Sequence, residues 1–278
     1  MKLTVFDKQI VEPSKFERSL FVSVMGQWIS RFAGTIIESF EIHLSNPVGF
    51  EEDIISLVEF AASKQVKNLN LDFSIPASRE VGVPERLYAC LYYKVNRLDT
   101  SRLVFNLLFV RTLTICSFLL QMIQDCDDPM DVSGPMKTRH LVMITNLHAN
   151  DFMGIRIFLN SCPELESLTF DMVTIRRVVR PSLPLVDPET HWLNNKTYEW
   201  VEKTLKVVKV KNFCGGSNEL QVLSYLIRTG CVMERVDLYE AQGLLNHDQK
   251  KLVLAGAEEV QWKFKRASRH LQITLYNA

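Results

Sequence analysis

The chain has 278 residues, and its 32 Lys and Arg are balanced by 32 Asp and Glu at a sequence pI near 7.0. That neutrality gives no general attraction to nucleic acid or to anionic lipid, so neither is expected as a partner and any ligand is recognised locally. The six cysteines form no C-x-x-C pair and no zinc-type spacing with histidine, so reduced, buried thiols are expected, with no metal and no cofactor.

Met1 to Ile10 holds Asp7 and Lys8 where a secretory signal would need its apolar run, which suggests an intracellular protein. Residues 14 to 32 read as a helix with Phe16, Leu20, Val24 and Trp28 on one apolar face. Ile37 to Leu44 reads as a strand, broken by Asn46, Pro47 and Gly49. Glu51 to Ser63 follows as a helix whose first acids suit its positive end, and Val66 to Phe73 is the next strand. Residues 74 to 102, with Pro76, Gly82 and Pro84, are expected to be irregular apart from one short element. Phe105 to Ile123 is long and apolar, but Arg111 in its middle would cost about 2.5–3.5 kcal/mol in a bilayer. A strand through Val110, Leu113 and Ile115 accounts for it better.

Cys126 to Gly134 reads as an exposed acidic loop that lacks the spacing of a calcium site, and Thr174 to Lys196, with Arg176, Arg177 and Arg180, as a protruding one. Strand Leu205 to Lys211 leads into the turn Gly215-Gly216, after which Ser217 is placed to cap a helix carrying Glu219 in its first turn. The six histidines are scattered, with no H-E-x-x-H or G-x-S-x-G motif, so no catalytic residue is expected and the chain is read as a non-enzyme.

One spacing recurs along these elements. Ile37/Phe40/Ile42, Val66/Leu69/Leu71, Val110/Leu113/Ile115, Leu165/Leu168/Phe170, Leu205/Val208/Val210 and Met233/Val236/Leu238 all read apolar-x-x-apolar-x-apolar. A weaker copy places Arg139, Val142 and Ile144 in the same positions. The intervals lie within or near the roughly 20–29 residues of a leucine-rich repeat, with two longer units. The expected fold is therefore α/β, a leucine-rich-repeat solenoid with a curved, mostly parallel sheet and helices on its convex side.

In that register the third, fifth and seventh positions of each unit line the concave face. They are Ser39, Glu41 and His43; Asn68, Asn70 and Asp72; Thr112, Thr114 and Cys116; Ser167, Thr169 and Asp171; Val207, Lys209 and Lys211; and Arg235, Asp237 and Tyr239. All of these except Cys116 and Val207 are candidates for contact with a target protein or peptide. The reading in which they touch only water stays open.

The segment Leu205 to Phe213, then Gly216, Glu219 and Tyr225-Leu226-Ile227, then Met233 to Val236, resembles the C-terminal FBD-type module of plant F-box/leucine-rich-repeat proteins. Lys265-Arg266-Ala267-Ser268 and Leu271 to Leu275 are similar to that module's closing turn and last strand, and Cys162-Pro163-Glu164-Leu165-Glu166 to the family's repeat junction. The resemblance covers nearly the whole chain and is strongest over residues 158–276. It implies an irregular repeat region over residues 1–200 and FBD-like terminal repeats, continuous with the solenoid, over residues 201–278.

The resemblance also implies the target-recognition part of an SCF-type ubiquitin ligase. No F-box motif is visible before Phe16, so the sequence is expected to start after one. An SCF adaptor is then a partner only if an F-box lies upstream. A free-standing repeat scaffold or competitor, binding targets without recruiting the ligase, remains the alternative.

Overall fold

The computed structural model describes residues 2–6, 15–44, 47, 49–73, 100–123, 135–148, 151–173, 198–241 and 247–277. Over these the chain alternates strand and helix. The strands are β1 (Lys2–Phe6), β2 (Ser39–His43), β3 (Asn68–Asp72), β4 (Thr112–Cys116), β5 (His140–Thr145), β6 (Ser167–Met172), β7 (Val207–Phe213), β8 (Arg235–Glu240) and β9 (Gln272–Tyr276). The helices are α1 (Lys15–Arg31), α2 (Glu51–Ser63), α3 (Thr100–Leu107), α4 (Ser117–Met122), α5 (Phe152–Ser161), α6 (Glu199–Lys203), α7 (Ser217–Thr229) and α8 (His247–Trp262).

The strands form one open sheet in sequence order, and every neighbouring pair is parallel. Parallel neighbours need a crossover between them, and the helices supply it. Each strand is one repeat unit stacked on the last, which is the leucine-rich-repeat solenoid the spacing predicts. The residue just before each strand extends the ladder. Lys67, Arg111, Arg139, Glu166, Lys206 and Glu234 each donate a backbone N–H to the equivalent carbonyl of the preceding unit, at 2.8–3.2 Å.

The core follows the period-two alternation of the strands. Phe40, Ile42, Leu69, Leu71, Leu113, Ile115, Leu168, Phe170, Val208, Val210, Val236 and Leu238 are buried in one continuous cluster with Ile54, Val58, Ile155, Leu159, Val222 and Leu226 of the helices. The described helices therefore cover one face of the sheet and leave the other without a helix. Where α4 and α5 meet, their backbones nearly touch, since a Cβ on Gly154 would stand 1.9 Å from the Leu120 carbonyl oxygen. Asp151, at the start of α5, is buried and accepts hydrogen bonds from Thr145 (2.6 Å), Gln121 (2.7 Å) and Ser117 (2.9 Å), tying β5 to α4. Burial raises its carboxyl above the usual range while those three donors pull it back down.

Several expectations are corrected. The degenerate repeat is real, but it lies one residue earlier than the Arg139 register. Leu113 pairs with Leu141 and Ile115 with Met143, so Leu141 and Met143 are buried and Val142 and Ile144 turn to the helix-free face. A slip of one residue exchanges the faces of a strand. The first position of this unit is Thr138, fully buried, whose hydroxyl donates to the Val110 carbonyl. Arg139 instead reaches out to Glu164 and Glu166, at 3.1 Å each.

Helix α1 forms as predicted, yet Phe16, Leu20, Val24 and Trp28 are all exposed. The helix packs through Val22, with Phe21, Met25, Ile29 and Phe32 partly buried. Apolar side chains occur nearly all round this helix, so spacing does not single out the inward face. Ser217 does not cap α7, since Gly216 holds the N-cap position and makes no side-chain cap bond. Strand β1 is an addition to the strands that the repeat spacing predicts.

The long apolar segment is divided into the end of α3, a turn, β4 and α4, and no described helix is long and apolar enough to cross a membrane. Residues 74–99, 124–134 and 174–197, with the expected irregular and acidic loops, the arginine loop and Cys126, lie outside the described residues, as does Cys90. Cys116 and Cys162 are buried free thiols that burial pushes up to about 12, Cys214 is half-buried, and Cys231 is exposed rather than buried.

Candidate functional site: the helix-free face of the sheet

Parallel, in-register pairing converts the repeat positions into rows that run across the strands. One row is Ser39, Asn68, Thr112, His140, Ser167, Val207, Arg235 and Gln272. The second is Glu41, Asn70, Thr114, Val142, Thr169, Lys209, Asp237 and Thr274. In the third, His43 is beside Asp72, Asp171 beside Lys211, and Tyr239 beside Tyr276. The structure thus brings every candidate contact residue onto one face.

They are not equally accessible. Asp72, Thr169 and Asp237 are buried, Lys211 and Arg235 are exposed, and the remaining candidates are half-buried. Cys116 is buried at the end of β4 and accepts the Phe73 N–H on its sulfur at 3.3 Å. Sequence reasoning missed two contributions to the face. The slipped register concealed His140, Val142 and Ile144, and Gln272, Thr274 and Tyr276 of the last strand carry no repeat spacing of their own.

Two polar clusters occupy the ends of the face. Toward β2 and β3, His43 Nδ1 lies 3.3 Å from Asp72 Oδ2, and its Nε2 lies 3.5 Å from Asn70 Nδ2 and 3.9 Å from Glu41 Oε2. Toward β6 to β9, Asp171 accepts from Asn212 at 3.1 Å and pairs with Lys211 at 3.4 Å, while Arg235 Nε pairs with Asp237 Oδ2 at 2.9 Å. Among the described residues no three or more His, Cys, Asp or Glu are grouped to hold a metal ion.

Glu219 is the other buried acid near this end. It sits in the first turn of α7 and accepts the N–H groups of Cys214 and Gly215 at 3.0 Å each, bracing the turn that leaves β7. Burial pushes its carboxyl up to about 7 against the pull of those donors. The turn itself needs Gly215, whose φ of 72° is in the left-handed region and whose absent Cβ would meet the Leu252 carbonyl at 2.6 Å.

No family model matches the chain, and no solved structure matches it. Proteins from Arabidopsis thaliana do, three of them as follows. An F-box protein is 29% identical over 94% of this chain and 85% of its own length. One putative F-box/LRR-repeat protein is 44% identical over 62% of this chain and 37% of that protein, and another is 28% identical over 99% and 88%. The chain is a relative of plant F-box/leucine-rich-repeat proteins. That kinship agrees with the parallel, sequence-ordered sheet and with the repeat junction at Cys162-Pro163, where the Leu165 N–H closes the turn on the Cys162 carbonyl at 3.3 Å. Two of the alignments, over 396 and 426 residues, are longer than the chain, so these two relatives carry further residues inside the matched span.

Proposed function

We propose that this chain is a protein-binding repeat module of the target-recognition kind, which holds a protein or peptide on the helix-free face of its sheet. The observation that carries the reading is the set of three rows on that face. They hold polar side chains, many of them half-buried, in fixed register, and no described helix covers them. Side chains held by a rigid sheet lose little freedom on binding, which favours affinity. The relatives' names place them among F-box proteins, and in this reading the repeats supply affinity while ubiquitin transfer belongs to partner proteins. Residues 1–200 act as the irregular repeat region and residues 201–278 as the terminal repeats.

Photo-crosslinking tests it. A crosslinker at Thr114 or Ser167 should capture a protein from plant extract, and one at Glu52 or Arg228 on the helix side should not. Equal capture from both sides would sink the proposal. Probing the same captured material for an SCF adaptor separates a ligase receptor from a free-standing scaffold or competitor that binds the target alone.

A further inference from the structure

The two ends of the helix-free face differ in what they leave available. At the β2–β3 end, Glu41, His43, Asn70 and Asp72 face one another. At the β7–β9 end, Lys211 is engaged by Asp171, but two other cations are not spent. Lys209 has no ion-pair partner among the described residues, although it lies beside Asp237 in the register.

Arg235 is held by one edge alone. Its Nε meets Asp237 Oδ2, and among the described residues its two terminal amino groups have no partner, on a side chain that is 46% exposed. Asp237 is 2% exposed, so this contact anchors one edge of the guanidinium, and among the described residues its buried Oδ1 has no hydrogen-bond partner. The other edge of the guanidinium is a planar fork matched to a carboxylate.

Next along the same face, the Tyr239 and Tyr276 rings stack with centroids 4.8 Å apart and 13° between planes, and Tyr276 is 40% exposed. Such a pair offers rigid apolar area at small entropic cost.

We propose that the β7–β9 end of the helix-free face binds an acidic segment of a target protein, with a carboxylate on the terminal amino groups of Arg235 and on Lys209 and an adjoining aromatic side chain on the Tyr239–Tyr276 platform. The proposal rests on the reading that this face binds protein and names the chemistry it selects. Charge complementarity argues for it, because Lys209 and the terminal amino groups of Arg235 offer positive charge here, whereas at the opposite end Asp72 is buried against His43.

The test is selection of a random peptide library on the full chain, followed by titration of one selected, fluorescein-labelled peptide. Selected peptides are expected to be rich in Asp or Glu beside an aromatic residue, and their binding to weaken with added salt. Lys209→Gln and Tyr276→Ala should each weaken binding several-fold. Arg235→Lys should weaken it about tenfold, while keeping a cation on Asp237 so that the fold survives.

Peptides without acidic enrichment, or a library that yields no binder, overturn the proposal. Binding that falls with Glu41→Gln and Asn70→Ala but not with the Lys209, Arg235 and Tyr276 variants overturns this site while leaving the face intact. Acidic peptides insensitive to both sets overturn the site and the face together.

Discussion

The Thr138 hydroxyl donates a 2.9 Å hydrogen bond to the Val110 carbonyl, so a polar residue occupies the first core position of the fourth repeat strand met after β1. The other units place Ile37, Val66, Val110, Leu165, Leu205 and Met233 there. Thr138→Val keeps the volume but leaves the buried carbonyl without this donor. It should cost about 1–3 kcal/mol, read as a lower urea midpoint at unchanged slope. An unchanged midpoint would mean that the bond contributes nothing net.

Two glycines in helices should respond in opposite directions. Gly154→Ala drives a methyl into the Leu120 backbone and forces α4 and α5 apart, which should cost about 1–3 kcal/mol or more. Gly26, in α1, has nothing within 4 Å of where its Cβ would stand, and Gly26→Ala should raise stability by about 0.5–1 kcal/mol. Thermal melting of both variants is a direct check on the helix packing.

Glu219 should make stability depend on pH in an unusual direction. Its folded pKa of about 7 lies above its ordinary value of 4.5, so between those values the native state binds the extra proton. Its contribution is then fully present below the ordinary value and is lost as pH rises through about 7. Glu219→Gln removes that loss. The variant and the parent should be similar near pH 5, and the variant should be the more stable near pH 8, by at most about 3 kcal/mol. Denaturation midpoints across that range that run in parallel for the two proteins would contradict the assignment.

Leu168 is fully buried in β6. Leu168→Asp would bury an unpaired carboxylate and should cost at least about 3 kcal/mol, loosening neighbouring repeats because each contacts only the next. Hydrogen exchange should report the loss in β5 and β7 as well as β6. Asn70→Ala, on the opposite face, removes an amide whose Oδ1 has no partner among the described residues, and should change stability by less than about 1 kcal/mol.

The repeat strands were legible because burying one face of a parallel strand demands apolar residues at a fixed spacing, and β2, β3, β4, β6, β7 and β8 obey it with aliphatic or aromatic side chains. The register of β5 differs by one residue from the spacing for an equally physical reason. Spacing weighs apolar character, and Thr138 is buried through a hydrogen bond that only folding creates. The candidate face was mostly legible too, since alternation along a strand assigns the outward residues once the register is known.

The sequence by itself determined the repeat, the parallel α/β architecture and most of the residues on the open face, because local alternation and spacing act within a few neighbouring positions. Only the tertiary structure decided which side of α1 is packed, that Glu219 rather than Ser217 braces the turn after β7, and that Asp237 holds Arg235 by one edge beside two stacked tyrosines. The packed side of α1 and the stacked tyrosines depend on partners brought together across repeats, whereas the Glu219 and Arg235 contacts lie within one unit and turn on side-chain conformation, which repeat spacing does not specify.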